Sequence, residues 1–368
     1  MTHYVHQLDP FAIQFTETMG IRWYGLAYLA GFVGSYLIFV WLAKRGRIQL
    51  PAEKAGDFIT WVAIGTLAGG RLGYCLFYSP DLFWQFSSQI PYWGVLEVHK
   101  GGMASHGGII GVLLVCLWFA RRGGYSKLHL IDLTAYGCTI GFTFGRIANF
   151  INGELYGRIA PETFKWAVKF PTELYYWANY QVQELKRLIP ALDSLGAVKN
   201  SRGEELILTP ENWTEWVNRY RLDSIAHDNI NSVIEKVIWA TQNGQTQVIE
   251  AMQTVLNPRY PSQLYQSLLE GFLVWLVMTV VWLKPRKAGV VASVFGFGYS
   301  IARIIGEQYR MPDAHIGFQW LGLTRGQWLS VGFILFAAGF LFVAIRTENP
   351  KLGGLLSGDG ESIAGGKT

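Results

Sequence analysis

The chain has 368 residues, of which 51% are hydrophobic, 15% aromatic and only 15% charged, a balance too apolar for an ordinary soluble protein of this size. Its net charge of +5 comes from short Lys and Arg clusters between apolar segments rather than from one basic face, which argues against a nucleic-acid partner. The three cysteines, Cys75, Cys116 and Cys138, all lie inside apolar segments and are odd in number, so they read as buried thiols and not as a disulfide framework.

The N-terminal segment, 1–20, lacks the basic region and short apolar core of a cleaved signal sequence and is expected to be retained. Seven apolar segments follow, at 21–43, 57–78, 103–120, 129–151, 262–283, 288–306 and 327–345, most of them near the roughly 20 residues that a helix needs to cross a hydrocarbon core. The fold class is therefore an all-α polytopic membrane protein. Four spans fall in 21–157 and three in 259–347, separated by an insert at 158–258 and followed by a tail at 348–368.

Alternate connections are basic. Lys44, Arg45, Arg47 and Lys54 follow the first span, Arg121, Arg122 and Lys127 the third, Lys284, Arg286 and Lys287 the fifth, and Arg346 and Lys351 the seventh. The positive-inside rule then places the N-terminus outside and the C-terminus in the cytoplasm, with the insert outside. Within the insert, TELYYWANYQVQELKRL and NSVIEKVIWATQNGQTQVIEAMQTVL have the spacing of amphipathic helices, either resting on the membrane surface or forming a small helical domain. The Gly- and Ser-rich tail has few large apolar residues and is predicted to be disordered. The 42 glycines, often paired, suit close helix packing in lipid.

With this topology, the intramembrane polar residues gather at the outer ends of the spans. Tyr24 opens the first, Arg71 lies near the outer end of the second, and His106 follows the entrance to the third. Arg146, Asn149, Asn152 and Glu154 close the fourth, Gln263 and Tyr265 open the fifth, and Arg303 and Glu307 end the sixth. An arginine at the bilayer centre costs about 2.5–3.5 kcal/mol on insertion scales, so such residues usually serve a site. At about 100° per residue, Arg146, Asn149, Gly153 and Gly157 fall within about 80° on one helix face. Glu154 and Asn152 lie off that face and reach it only through a break in the helix or a partner helix. Arg303, Glu307 and Arg310 form one stripe, read either as an ion pair that stabilises both partners in the membrane or as a carboxylate aiming a guanidinium at an anion. Two arginines from different spans suggest a phosphate, hence a phospholipid headgroup. His106, among glycines, is a general base or a structural donor. No metal-ligand spacing, Ser nucleophile elbow or Walker loop is present.

These residues lie in motifs by which the chain resembles the bacterial prolipoprotein diacylglyceryl transferases. The motifs are RWYGLAY at 22–28, GGRLGY at 69–74, GGMASHGGIIG at 101–111, GRIANFINGELYGR at 145–158, PSQLYQ at 261–266 and RIIGEQYRMPDA at 303–314. The resemblance implies a multi-pass enzyme of the bacterial cytoplasmic (inner) membrane, with its active site toward the extracytoplasmic side. It implies transfer of the diacylglyceryl group of phosphatidylglycerol to a lipobox cysteine of a preprolipoprotein signal peptide, releasing glycerol phosphate, with no cofactor and no metal. By motif it assigns function to Tyr24, His106, Arg146, Asn149, Glu154, Gly157, Arg303 and Glu307. Asn152, Arg71, Gln263 and Tyr265 complete the expected lipid site. In the implied mechanism Arg146 and Arg303 stabilise the leaving phosphate, Asn149 and Glu154 position the headgroup or those arginines, and His106 or Tyr24 assists the thiol. Arg22, Tyr260 and Gln266 depart from the family pattern of His, His and Glu, and the insert is longer than the family leads one to expect. A transporter or flippase for an anionic phospholipid is the competing class, but it requires a polar path inward, and the inner halves of the spans carry few ionisable residues. A membrane anchor that scaffolds partners leaves the intramembrane arginines unexplained.

Overall fold

The computed structural model describes residues 2–16, 19–88, 90–98, 101–312 and 317–356. Each expected span is helical: α1 is Trp23–Lys44, α2 Ala52–Phe77, α3 Ser105–Gly123 and α4 Lys127–Ile151. Within the insert lie α5 (Glu173–Tyr180), a 3-10 segment (Val182–Leu195), α6 (Pro210–Arg219), α7 (Ser224–Gln242) and α8 (Thr246–Val255). A continuous helix then runs from α9 (Ser262–Gln266) through a π-helical stretch (Ser267–Leu273) into α10 (Val274–Trp282). Val290–Gly306 forms α11 and Arg325–Arg346 forms α12. Three of these, Trp23–Lys44, Ser262–Trp282 and Arg325–Arg346, are long and apolar enough to cross a membrane; α11 is apolar but shorter. In α2, α3 and α4, glycines and polar residues such as Arg71, His106, Arg121, Arg122, Arg146 and Asn149 dilute the apolar run.

The chain forms two compact units, 1–27 with 145–269 and 303–329, and 28–144 with 270–302 and 330–368. In the second unit, α2 and α3 meet through glycines. A Cβ on Gly69 would lie 2.4 Å from the Gly107 carbonyl oxygen, and one on Gly111 would lie 2.1 Å from that of Gly65. The four-residue spacing of Gly65, Gly69 and Gly73 against Gly107 and Gly111 puts backbone on backbone, as small-residue seams do in lipid. The glycine beside His106 therefore serves helix packing, and its space is filled by α2. The buried Asp132 of α4 caps α11, accepting from the Gly289 and Ala292 amides at 2.7 Å each. Cys75 and Cys116 are buried and Cys138 is half-buried, all as free thiols.

The basic connections of this unit touch one another. Strand β5 (Pro285–Lys287) pairs with β6 (Lys351–Gly353), the Gly353 amide donates to the Arg47 carbonyl at 2.8 Å, Lys287 Nζ donates to the Ile345 carbonyl at 2.6 Å, and the Ser126 amide donates to Gln49 Oε1 at 2.9 Å. The tail expected to be disordered thus begins with an ordered strand whose Leu352 is buried and whose carbonyl accepts from the Trp282 indole. The rest of that expectation, 357–368, lies outside the described residues.

In the first unit the insert helices turn their apolar faces to one another around fully buried Trp177, Trp213, Ile230, Ile234, Val248 and Met252. They form a packed helical body. The N-terminal segment joins it, since β1 (Tyr4–Val5) pairs in parallel with β4 (Val168–Lys169) and Val5 enters the same core. A hairpin of β2 (Phe11–Gln14) and β3 (Gly20–Arg22) leads into α1. A buried ion pair, Arg259 Nη2 to Glu173 Oε1 at 2.5 Å, ties this body to the end of the signature motif, because Arg259 Nη1 also donates to the Gly157 carbonyl at 3.0 Å. Asn257 and Trp177 supply further donors to Glu173, so the carboxylate is stabilised away from water.

His6, next to β1, packs its ring against Phe150 and Phe170. Burial lowers its pKa from 6.5 to about 4, a hydrogen bond with the Phe150 backbone acting in the opposite sense. The unfolded chain then binds a proton that the folded chain refuses between these values. Stability from this residue is complete above pH 6.5 and is lost as pH falls toward 4, by up to about 3 kcal/mol. We expect the melting temperature of the detergent-solubilised protein to fall between pH 7 and pH 5, and His6→Phe to remove part of that fall.

Candidate active site

The signature helix α4 ends where the site begins. Its end is closed by a Schellman turn: the Glu154 amide donates to the Asn149 carbonyl at 3.1 Å, the Gly153 amide donates to the Phe150 carbonyl at 2.9 Å, and Gly153 takes φ +65°. The left-handed glycine reverses the chain and swings Glu154 back alongside Asn149. This answers how Glu154 reaches the face of Arg146 and Asn149: the helix breaks. Gly153 and Gly157, expected on that same helical face, lie beyond the break and are not part of it.

The turn assembles a chain of polar groups from sequence-distant places. The Tyr24 hydroxyl donates to Glu154 Oε1, and Asn149 Nδ2 donates to the Tyr24 oxygen. Asn149 Nδ2 also lies 3.4 Å from Glu154 Oε1, and Arg146 Nη1 reaches Asn149 Oδ1 at 3.5 Å. Gln263, fully buried at the start of α9, donates to the Glu154 backbone carbonyl at 2.7 Å and so fixes the turn from another helix. Asn152 sits in the turn with its side-chain oxygen buried and without a hydrogen-bond partner among the described residues.

A second cluster stands on α11 and the residues that follow it. Glu307 is buried and accepts from Arg303 Nη2 at 2.7 Å, Arg310 Nη1 at 3.1 Å and the Thr324 hydroxyl at 3.0 Å. The stripe of Arg303, Glu307 and Arg310 is thus one carboxylate holding two guanidiniums, and both readings of the stripe start from this geometry. Arg158 joins the clusters: its Nε donates to the Arg310 carbonyl at 3.0 Å and its Nη2 to the Glu307 carbonyl at 3.2 Å. Sequence reasoning singled out neither Arg158 nor Thr324. The signal for Arg158 was its place at the end of GRIANFINGELYGR; Thr324 had none.

Other expected site residues take packing roles. A Cβ on Gly157 would lie 2.5 Å from the Tyr260 carbonyl oxygen and 2.6 Å from that of Tyr309, and its amide donates to Tyr260 at 2.9 Å. Gly157 is where three backbone segments cross. Tyr265 packs edge-on against Tyr309. In the second unit Arg71 is buried and donates to the carbonyls of Val95, Gly101 and Gly94 at 2.7 Å each and of Gly102 at 3.0 Å. With four of its five donors engaged by backbone, it clamps the loop that precedes α3. His106, also in the second unit, lies in the first turn of α3 with its side chain exposed.

Helices able to cross a membrane, with a tyrosine, a carboxylate, amides and arginines assembled at helix ends, define a helical membrane protein with a polar site. A family model for prolipoprotein diacylglyceryl transferases matches residues 10–343. The chain is similar to proteins named phosphatidylglycerol–prolipoprotein diacylglyceryl transferase. It is 47% identical over 348 residues to that of Bdellovibrio bacteriovorus, covering 95% of each chain. It is 33% identical over 350 residues to that of Neisseria gonorrhoeae, covering 94% of this chain and 99% of the relative. It is 34% identical over 342 residues to that of Azospirillum brasilense, covering 92% and 95%. The chain belongs to the prolipoprotein diacylglyceryl transferase family.

Proposed function

We propose that the chain transfers the diacylglyceryl group of phosphatidylglycerol to the cysteine thiol of a prolipoprotein, with the Tyr24–Asn149–Glu154 network and the arginines beside it as its chemical centre. The observation that carries the site assignment is the Schellman turn at Gly153, which brings the signature glutamate onto the tyrosine of α1. The thiol loses its proton, and the sulfur attacks the glycerol carbon that bears the phosphate. That carbon–oxygen bond breaks, glycerol phosphate leaves with the electron pair, and a thioether forms. A thiol of pKa about 8.5 is only a few per cent thiolate at neutral pH, so a base accelerates attack, and positive charge stabilises the departing phosphate.

Arg146 and Arg303 supply that charge in this reading, with Asn149 and Glu307 as the groups that orient them. Tyr24, whose proton is already directed to Glu154, or the accessible His106 imidazole takes the thiol proton. Seven spans with the N-terminus outside, the insert outside and the tail in the cytoplasm complete the proposal, for an enzyme of the bacterial inner membrane. Its support is the mutual contact of the basic connections at 43–54, 121–127 and 284–289 and of the segment after α12, as expected if they share one side. Transport is not favoured, because Asp132, near the inner end of α4, is occupied in capping α11 and opens no polar path.

The test is transfer from labelled phosphatidylglycerol to a peptide containing a lipobox cysteine. Arg146→Ala and Arg303→Ala are each expected to lower the rate about 10²–10³-fold. Undiminished thioether product from both variants would remove the arginines from the mechanism. Full activity of His106→Gln across pH would leave Tyr24 as the base.

A further inference from the structure

Within the first unit an open cleft of about 700 Å3 has as its floor the turn at 152–156, the same turn that carries Glu154 to Tyr24. Tyr175, Asn179 and Tyr180 of α5, Gln242 of α7 and Arg22 of β3 line it. Volume of this order is within the range of ligand-binding clefts. Tyr175 and Tyr180 are 40% and 51% exposed, large aromatic surfaces that the packed insert leaves uncovered. The side-chain amides of Asn152, Asn179 and Gln242 each carry a donor and an acceptor, the pair of functions that an extended polypeptide backbone presents. Asn152 belongs to the lining, and its side-chain oxygen is buried without a hydrogen-bond partner among the described residues. Leu155, Ile238, Met311 and two prolines share the lining, so the cleft is mixed, and tyrosines beside adaptable polar groups and apolar side chains are the composition of peptide-binding surfaces.

We propose that this cleft binds the segment of the acceptor polypeptide that follows the modified cysteine. The inference rests on the transfer reaction above, in which the acceptor must present its thiol from inside a chain. The lipid is held by the arginines at the span ends, and the polar part of the acceptor runs out from Glu154 along α5. The insert helices thereby act in substrate recognition as well as in folding.

The experiment compares two acceptor peptides, one ending at the cysteine as its amide and one continuing for six polar residues, with the wild type and with Tyr180→Ala and Asn179→Ala. Both positions are exposed, so neither substitution removes core packing. In the wild type, the longer peptide is expected to have about tenfold lower KM, a difference of about 1.4 kcal/mol. In the variants the KM of the longer peptide rises toward that of the shorter one, while the KM for phosphatidylglycerol and the rate with the shorter peptide stay unchanged. Equal KM for the two peptides in the wild type, or an equal loss on both peptides in the variants, would overturn the proposal. Absence of thioether from either peptide in the wild type would instead overturn the reaction itself.

Discussion

Replacing Glu307 by alanine is expected to lower stability by about 3–5 kcal/mol and to abolish transfer, because one buried carboxylate holds two guanidiniums. Arg303 and Arg310 are themselves only 13% and 14% exposed at their side chains, so neither is free to recover full hydration when its partner is removed. Thr324 loses its acceptor at the same time. Glu307→Gln separates the two roles of the residue. It retains an acceptor oxygen and the volume, so most of the fold should survive, but the aim and charge balance of Arg303 are disturbed. A melting temperature lowered by only a few degrees with transfer reduced at least tenfold is the expected pattern. Wild-type transfer by Glu307→Gln would mean that the ion pairs only let both arginines be buried and do no work on the phosphate.

The helices were legible because their signal is additive: a long apolar run bounded by charges does not depend on what it packs against. The segments at 21–43, 129–151 and 327–345 accordingly became α1, α4 and α12 with ends shifted by at most a few residues. The end of α4 was less legible. Periodicity extrapolated from Arg146 carries Gly157 onto the same face, whereas Gly153 reverses the chain by adopting a conformation that other residues resist. The sequence contained the deciding residue, but its effect depends on the caps that form around it. The surroundings of Arg71 were hidden for a different reason. An arginine near a span end reads as an anion site unless the loop that folds over it is known, and the carbonyls of Gly94, Val95, Gly101 and Gly102 are invisible as acceptors in a one-dimensional pattern. The strand at Lys351–Gly353 was hidden by composition. Its glycines suggest disorder, but its pairing with Pro285–Lys287 and the burial of Leu352 come from a partner far away in the chain.

Tyr24 and Glu154 are expected to fail together. If the tyrosine passes a proton from the thiol toward the carboxylate that already accepts its hydroxyl, Tyr24→Phe and Glu154→Gln should each lower kcat by about 10²–10⁴-fold, the usual worth of a positioned proton transfer. The double variant should be little worse than either one, since both substitutions interrupt the same step. The KM for phosphatidylglycerol should change much less, because the lipid phosphate is assigned to Arg146 and Arg303. The alternative is that Glu154 acts only by steadying Asn149, which in turn orients Arg146. In that case Glu154→Gln, whose amide oxygen can still accept from Asn149, and Tyr24→Phe, which removes one acceptor of Asn149, each lower kcat by about tenfold or less, and the two losses multiply. Single-turnover rates for the three variants separate these cases: Tyr24→Phe removes both the proton given to Glu154 and the oxygen that accepts from Asn149, and the double variant shows whether the carboxylate acts through that hydroxyl.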